Sequence, residues 1–210
     1  MRTATVADLL ESFAARTPTP GGGSASALGG ALGTALANMA AAFTTQNEKF
    51  KAVEPKVLEL IERLKTSRAA FLNLADEDIA AYGAYAAARG LPKNTPEEKA
   101  ARSKSLAEAN EKATQIPERI VEEARKALKT TDELSSVANP NLAGDISVAA
   151  YFLEAAARGA AIQVMGNCAA NDESGRNAVR RSAVRAAIGD CQALRERIDQ
   201  AVLKMMKVAE

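Results

Sequence analysis

The stretch Thr17-Pro18-Thr19-Pro20-Gly21-Gly22-Gly23-Ser24, with the Ala/Gly-rich run that follows it to about Thr44, constrains this chain more than any other. Two prolines fix extended backbone, three glycines release it, and Ser24 is a good N-cap for a helix that begins at once. Such a joint leaves backbone N–H groups of a helix N-terminus aimed at whatever lies in front, which suits an oxyanion or a polar ligand. A close-packed turn with no ligand is the other reading, and a Gly-rich loop by itself does not choose between them.

From Ala25 to Ala42 the chain carries no charge. Gly29, Gly33, Ala37 and Ala41 recur at four-residue spacing, as do Ser26, Gly30 and Thr34, so each set forms one stripe of a helix. Small stripes let other helices approach closely, while Leu28, Leu32, Leu36 and Met39 supply bulk. A helix uncharged all round belongs in a buried place. Its Ala, Gly, Ser and Thr content contributes little membrane-transfer energy, so a span is not expected. The run reads as the central helix of a bundle, at a subunit interface.

Composition narrows the function classes. A chain of 210 residues, 47% hydrophobic, can bury one sizeable core, and residues 1–210 read as a single helical domain. A net charge of +1 gives no field that would attract nucleic acid or an anionic membrane, so neither partner is expected. Cys168 and Cys191 lack metal-ligand spacing and read as core residues; with no signal peptide ahead of the first amphipathic helix, a cytoplasmic location is expected. The chain has no histidine. That removes His-based acid–base chemistry, Ser-His-Asp triads and most zinc sites, and no metal is expected.

In chain order, Thr5 opens a short helix carrying Val6, Leu9, Leu10 and Phe13 on one face. After the central helix, Pro55 suits the first turn of a third helix that keeps its period to Arg89. Thr95-Pro96-Glu97-Glu98 is a compact start signature for the fourth, for which a break or kink is expected at Pro117. A fifth runs to about Ala138; Asp145 or a neighbour caps a sixth, from Ile146 to about Ala170. Asn171–Gly175 reads as a turn, and a last helix runs from about Arg176 to Val208. No alternating strand pattern appears, so the fold class is all-α, a bundle of roughly seven helices.

Several residue sets could carry chemistry. Asp78, Tyr82, Tyr85 and Arg89 fall on one helical stripe and would make a wall for a polar aromatic ligand, or a solvated face. Asn139-Pro140-Asn141 leading to Asp145 is either a ligand loop or a turn into a helix cap. Lys93 with Lys99 and Arg102 is a small basic set able to hold a carboxylate or phosphate, or merely solvated. Arg176, Arg180, Arg181 and Arg185 read as a surface or dimer-rim cluster.

The blocks Thr17–Ala25, Leu74-Ala75-Asp76-Glu77-Asp78 with Tyr82, Leu91-Pro92-Lys93, Glu97-Glu98-Lys99 with Arg102, and Asn139-Pro140-Asn141 to Asp145 occur in order over nearly the whole chain. In this the chain resembles the formiminotransferase-cyclodeaminase C-terminal-domain family, and within it the stand-alone bacterial members that hydrolyse methenyltetrahydrofolate. The resemblance implies an all-helical homodimer with a folate bound at or near the subunit interface. It would place Pro20, Gly21, Gly22, Gly23, Ser24, Tyr82, Asn139 and Asn141 against the substrate, and Asp145, Asp78 and Lys93 in catalysis. One departure stands out: relatives often show a Val-Arg-Ile-Asn-type stretch where this chain reads Gln163-Val164-Met165-Gly166-Asn167, with Met165 in place of an arginine.

The implied reaction is reversible hydrolysis of 5,10-methenyltetrahydrofolate to 10-formyltetrahydrofolate, which needs a positioned water, a proton acceptor and an anion near a cationic amidinium; no cofactor is expected. Carboxylates suit both tasks. Formimidoyltetrahydrofolate cyclodeaminase is the alternative reading within the family. A non-catalytic folate-binding or structural helical dimer is the alternative outside it.

Overall fold

The computed structural model describes residues 3–169 and 175–207. Among these there are six α-helices: α1 (Val6–Ala14), α2 (Gly22–Ala42), α3 (Glu54–Arg89), α4 (Pro96–Ser135), α5 (Ala143–Asn167) and α6 (Arg176–Met206). Short 3-10 turns occupy Glu48–Phe50 and Pro140–Leu142. The fold is all-α, with six helices rather than seven. The turn expected over Asn171–Ser174 and the expected helix end at Val208 lie outside the described residues.

The lost boundary is at Pro117. Proline has no N–H to give the carbonyl four residues earlier, which ordinarily breaks a helix. Here α4 runs unbroken for 40 residues, because the Asn167 side chain donates to that carbonyl, Ala113 O, at 3.1 Å. Other ends follow local rules. Thr95 forms a capping box with Glu98, and Pro55 stands in the first turn of α3.

Helix α2 is the centre of the bundle and packs chiefly on α5 and α3. Its small residues are required by contact: a Cβ on Gly30 would lie 2.5 Å from the Phe71 ring, and one on Gly33 would lie 2.9 Å from Ala149 O and Leu153 Cγ. A Cβ on Gly159 would meet Ser26 Oγ at 2.4 Å, so α2 and α5 run antiparallel at close range. Phe71, Leu60, Leu64, Ile120, Leu128, Leu153 and Ile198 fill the core around them. No helix among the described residues is long and apolar enough to cross a membrane.

Not all of α2 is covered. Ala25, Gly29, Leu32, Leu36, Met39 and Phe43 form a partly or fully exposed seam at alternating spacings of four and three. Val148, Phe152, Ala155, Gly159 and Ile162 form a matching seam on α5. Neither holds a charge, and Leu32 and Ile162 are 53% and 62% exposed. Helix α1 buries none of its residues and leaves Val6 and Leu10 open.

Candidate active site

A cavity of about 590 Å³ opens where the N-terminus of α2 meets the C-terminus of α5, the C-terminal third of α3 and the stretch of α4 that ends at Pro117. The loop before α2 forms one wall through Pro18, Thr19 and Gly21–Gly23, and α3 adds Asp78, Ala81, Tyr82 and Tyr85. Asn110, Ala113 and Pro117 of α4 and Gln163, Gly166 and Asn167 of α5 close the rest. The Thr19–Pro20 peptide within the loop is cis.

The helix start differs from the sequence expectation. Gly21, not Ser24, is the N-cap, without a side-chain cap bond. The cap comes instead from α3: Ser24 N–H and Ser24 Oγ–H both donate to Asp78 Oδ2, at 2.8 and 2.7 Å. A carboxylate is thereby seated on the positive end of α2, where the helix dipole favours it. A Cβ on Gly23 would stand 2.1 Å from Asp78 Oδ1, so the approach demands glycine. Gly22 and Gly23 contribute first-turn N–H groups without helical acceptors. Asp78's neighbour Glu77 is tied to Arg119 of α4, which fixes α3 against α4 beside the cavity.

On the opposite wall, Asn110 Nδ2 donates to Asn167 O at 3.3 Å, and Asn167 Nδ2 to Ala113 O. Arg181 Nη1 donates to Cys168 O, so side chains of α4 and α6 together cap the last carbonyls of α5. Glu111, next to Asn110, accepts from Arg180 and Arg176; the Arg180 hydrogen bond holds its carboxyl at about 2, well below the ordinary 4.5. Arg180 and Arg181 thus tie α6 to α4 and to the end of α5 within the chain.

Of the residues expected to form the site, the structure brings together Gly21, Gly22, Gly23, Ser24, Asp78 and Tyr82, with Pro20 inside the same loop. It does not bring the others there within one chain. Asp145 lies in the first turn of α5, on the α-helical rise about 27 Å along the axis from Gln163. It is not the cap of that helix, which begins at Ala143. Asn139 caps the turn before α5 by accepting from Asn141 N–H, and its own N–H donates to Thr44 Oγ1 at the far end of α2. Lys93 stands exposed on the connection between α3 and α4. Arg102 donates through its guanidinium to Arg89 O at the end of α3. Asn110 was not singled out by sequence pattern, and Asn167 entered only as the end of the Gln163–Asn167 stretch, with no role given to it. A further trace was a proline inside an otherwise helical stretch, whose orphaned carbonyl needs a donor.

Cys168 and Cys191 are buried and unpaired, as expected of core residues. Burial pushes both thiols up, Cys191 to about 12, so neither is an activated nucleophile.

In this all-helical domain a carboxylate seated on a Gly-rich helix N-terminus lines the cavity, a chemistry suited to a polar or cationic ligand. The chain belongs to the formiminotransferase-cyclodeaminase family, whose sequence model matches residues 5–186. It is 32% identical over 198 residues to a methenyltetrahydrofolate cyclohydrolase of Methylorubrum extorquens, covering 94% of this chain and 95% of that one. It is 35% identical to the rat (Rattus norvegicus) formimidoyltransferase-cyclodeaminase over 73% of this chain, which spans 28% of that longer protein. A crystal structure of formiminotetrahydrofolate cyclodeaminase from Thermotoga maritima matches with a TM-score of 0.79 at 25% identity, covering 98% of this chain and 97% of that one.

Proposed function

We propose that this chain hydrolyses the methenyl bridge of 5,10-methenyltetrahydrofolate to give 10-formyltetrahydrofolate, reversibly. The observation that carries this reading is the Asp78 carboxylate, held by Ser24 on the N-terminus of α2 and lining a cavity large enough for a fused ring system. The full-length likeness to a cyclohydrolase supports the same reaction.

The substrate's N5–C–N10 bridge is a cationic amidinium. Water adds to its carbon, a carboxylate accepts the released proton, and a tetrahedral carbinolamine forms. The hydroxyl of this intermediate then gives up its proton and its oxygen becomes the formyl carbonyl as the C–N5 bond breaks. The electron pair stays on N5, which takes up a proton from the protonated carboxyl, the other proton leaves to solvent, and the formyl group remains on N10. Asp78 faces the cation, and the N–H groups of Gly22 and Gly23 favour the oxygen on which negative charge gathers. Pro20, Gly21 and Ser24 shape the loop, and Tyr82 stacks against the ligand.

Asp145 acts as the water-directing base, and Asn139, Asn141 and Lys93 serve the same site across a homodimer. The uncharged seams of α2 and α5 favour a twofold partner. Two α5 helices crossing antiparallel at Ala155 would set the partner's Asp145 opposite Met165, next to Gly166 of the cavity wall. In that arrangement each site takes its glycine loop from one protomer and its Asn139–Asp145 end from the other. Lys93 handles the anionic tail of the folate.

Loss of the methenyl chromophore, measured above its spontaneous hydrolysis, tests the reading. Catalysed loss supports it, and no acceleration overturns it. The kinship with cyclodeaminases favours a second reaction, loss of ammonia from formimidoyltetrahydrofolate, and ammonia release with no methenyl hydrolysis would replace the first reading by the second.

A further inference from the structure

The missing N–H of Pro117 has a second effect besides the unbroken helix. It commits the amide nitrogen of Asn167 to Ala113 O, while the amide nitrogen of Asn110 is committed to Asn167 O. Both acceptors are backbone carbonyls, which have no proton to give, so neither carboxamide can be turned round: rotation would set oxygen against oxygen. Both side chains line the cavity and are half-buried. One N–H of each nitrogen is given to the wall, and that bond fixes where each Oδ1 stands as an acceptor.

We propose that Asn110 and Asn167 are specificity-determining residues that read the donor edge of the bound ring through their two oxygens. The inference rests on the folate reading and deepens it. A 2-amino-4-oxo pterin offers two adjacent donors on one edge, N3–H and the 2-amino group. Two fixed acceptors on one wall match that edge, and a ring lacking the amino donor leaves an acceptor without a partner. Asp78, across the cavity, is then left to the cationic bridge. Pro117 is the positioning residue: with its carbonyl partner orphaned, Asn167 has one orientation, and α4 holds it there without help from the ligand.

The test compares folic acid with 2-desamino-2-methylfolic acid, which lacks the 2-amino donor, as competitive inhibitors of methenyltetrahydrofolate hydrolysis by the full-length protein. Wild type is expected to prefer folic acid by about tenfold, and Asn167→Ala and Asn110→Ala each to shrink that ratio to roughly two- or threefold. A loss of fold or overall activity does not change a ratio between two ligands. The Pro117→Ala, Asn167→Ala double variant separates structure from recognition. It gives Ala113 O its helical donor back, so the melting temperature lost in Asn167→Ala returns while the lost discrimination does not. Undiminished discrimination in both single variants overturns the proposal, as does a wild type that hydrolyses methenyltetrahydrofolate yet inhibits equally with both compounds. A wild type that neither hydrolyses the substrate nor binds either inhibitor overturns the folate reading itself, together with this one.

Discussion

Asp78 caps a helix through a residue 54 positions before it in the chain: one carboxylate oxygen accepts both the backbone N–H and the hydroxyl of Ser24, at 2.8 and 2.7 Å. The same group is therefore a structural cap and the anion of the cavity, and substitutions can separate the two roles.

Asp78→Asn keeps an oxygen for Ser24 but removes the charge. Turnover of methenyltetrahydrofolate is expected to fall by about a hundredfold, the scale of losing one preorganised electrostatic group, with helical content unchanged by circular dichroism. Gly23→Ala drives a methyl into the Asp78 carboxylate, 2.1 Å from Oδ1, and should displace it. A comparable drop in turnover is expected there, and wild-type kinetics would contradict the assignment.

Gly30→Ala tests the close packing of α2. Its methyl would lie 2.5 Å from the Phe71 ring in the core. Overpacking costs about 1–3 kcal/mol, which the better helix propensity of alanine offsets by about 1 kcal/mol, so a net loss of up to about 2 kcal/mol is expected in urea unfolding. Phe71→Leu in the same background makes room for the methyl, and the pair should be less destabilising than the sum of the two.

Glu154 is buried on α5 and accepts from Arg158 at 2.8 Å and Arg195 at 2.9 Å. Burial raises its carboxyl, but the two arginines outweigh that and the balance lies below the ordinary value. Glu154→Ala leaves Arg195 with Asp199 as a remaining partner, so a loss of about 2–3 kcal/mol is expected, short of that for a fully orphaned buried charge. A melting curve within the error of wild type would show that this cluster adds nothing.

The Arg180–Glu111 tie makes stability depend on acid pH. Glu111 is depressed from 4.5 to about 2 when folded. Its contribution is therefore complete above about 4.5 and is lost as pH falls through about 2, because the unfolded chain takes up the proton first. Glu111→Gln should lose stability at neutral pH and show a shallower decline of the urea midpoint over that window than wild type does. Parallel declines would argue that solvent screens the pair completely.

Leu32 lies in the middle of the α2 seam and is 53% exposed. Leu32→Glu places a charge on the face assigned to the second copy, so light scattering should report a shift from dimer to monomer. Turnover should fall with it, because the partner's Asp145 is withdrawn. A fully active monomer would sink both the interface and the shared site.

The helices were legible wherever their boundaries are set locally. Thr95 and Glu98 cap each other, and Pro55 stands where a first turn accepts it. Two misreadings share one cause. The donor that lets α4 pass Pro117 is Asn167, and the acceptor that replaces Ser24 as the cap of α2 is Asp78; each comes from a distant helix. The glycine loop, Asp78 and Tyr82 could be joined by pattern and resemblance, and the fold does set them side by side. Asp145 could not be placed, because one long helix separates it from the cavity, a distance that no motif encodes. Asn110 drew no notice for the opposite reason: a single asparagine on a charged helix has no pattern until its partner is seen.

The glycines of α2 also set how far a disturbance travels. Gly30 and Gly33 hold the helix against Phe71 and α5 with no flexible side chain in between to absorb an error. Gly22 sits at the tip of the same rod, about 12 Å from Gly30. A methyl group's worth of misfit deep in the bundle is thus delivered to the glycine loop at the cavity as movement of the whole rod, and affinity for whatever fills that cavity becomes a gauge of packing two turns away.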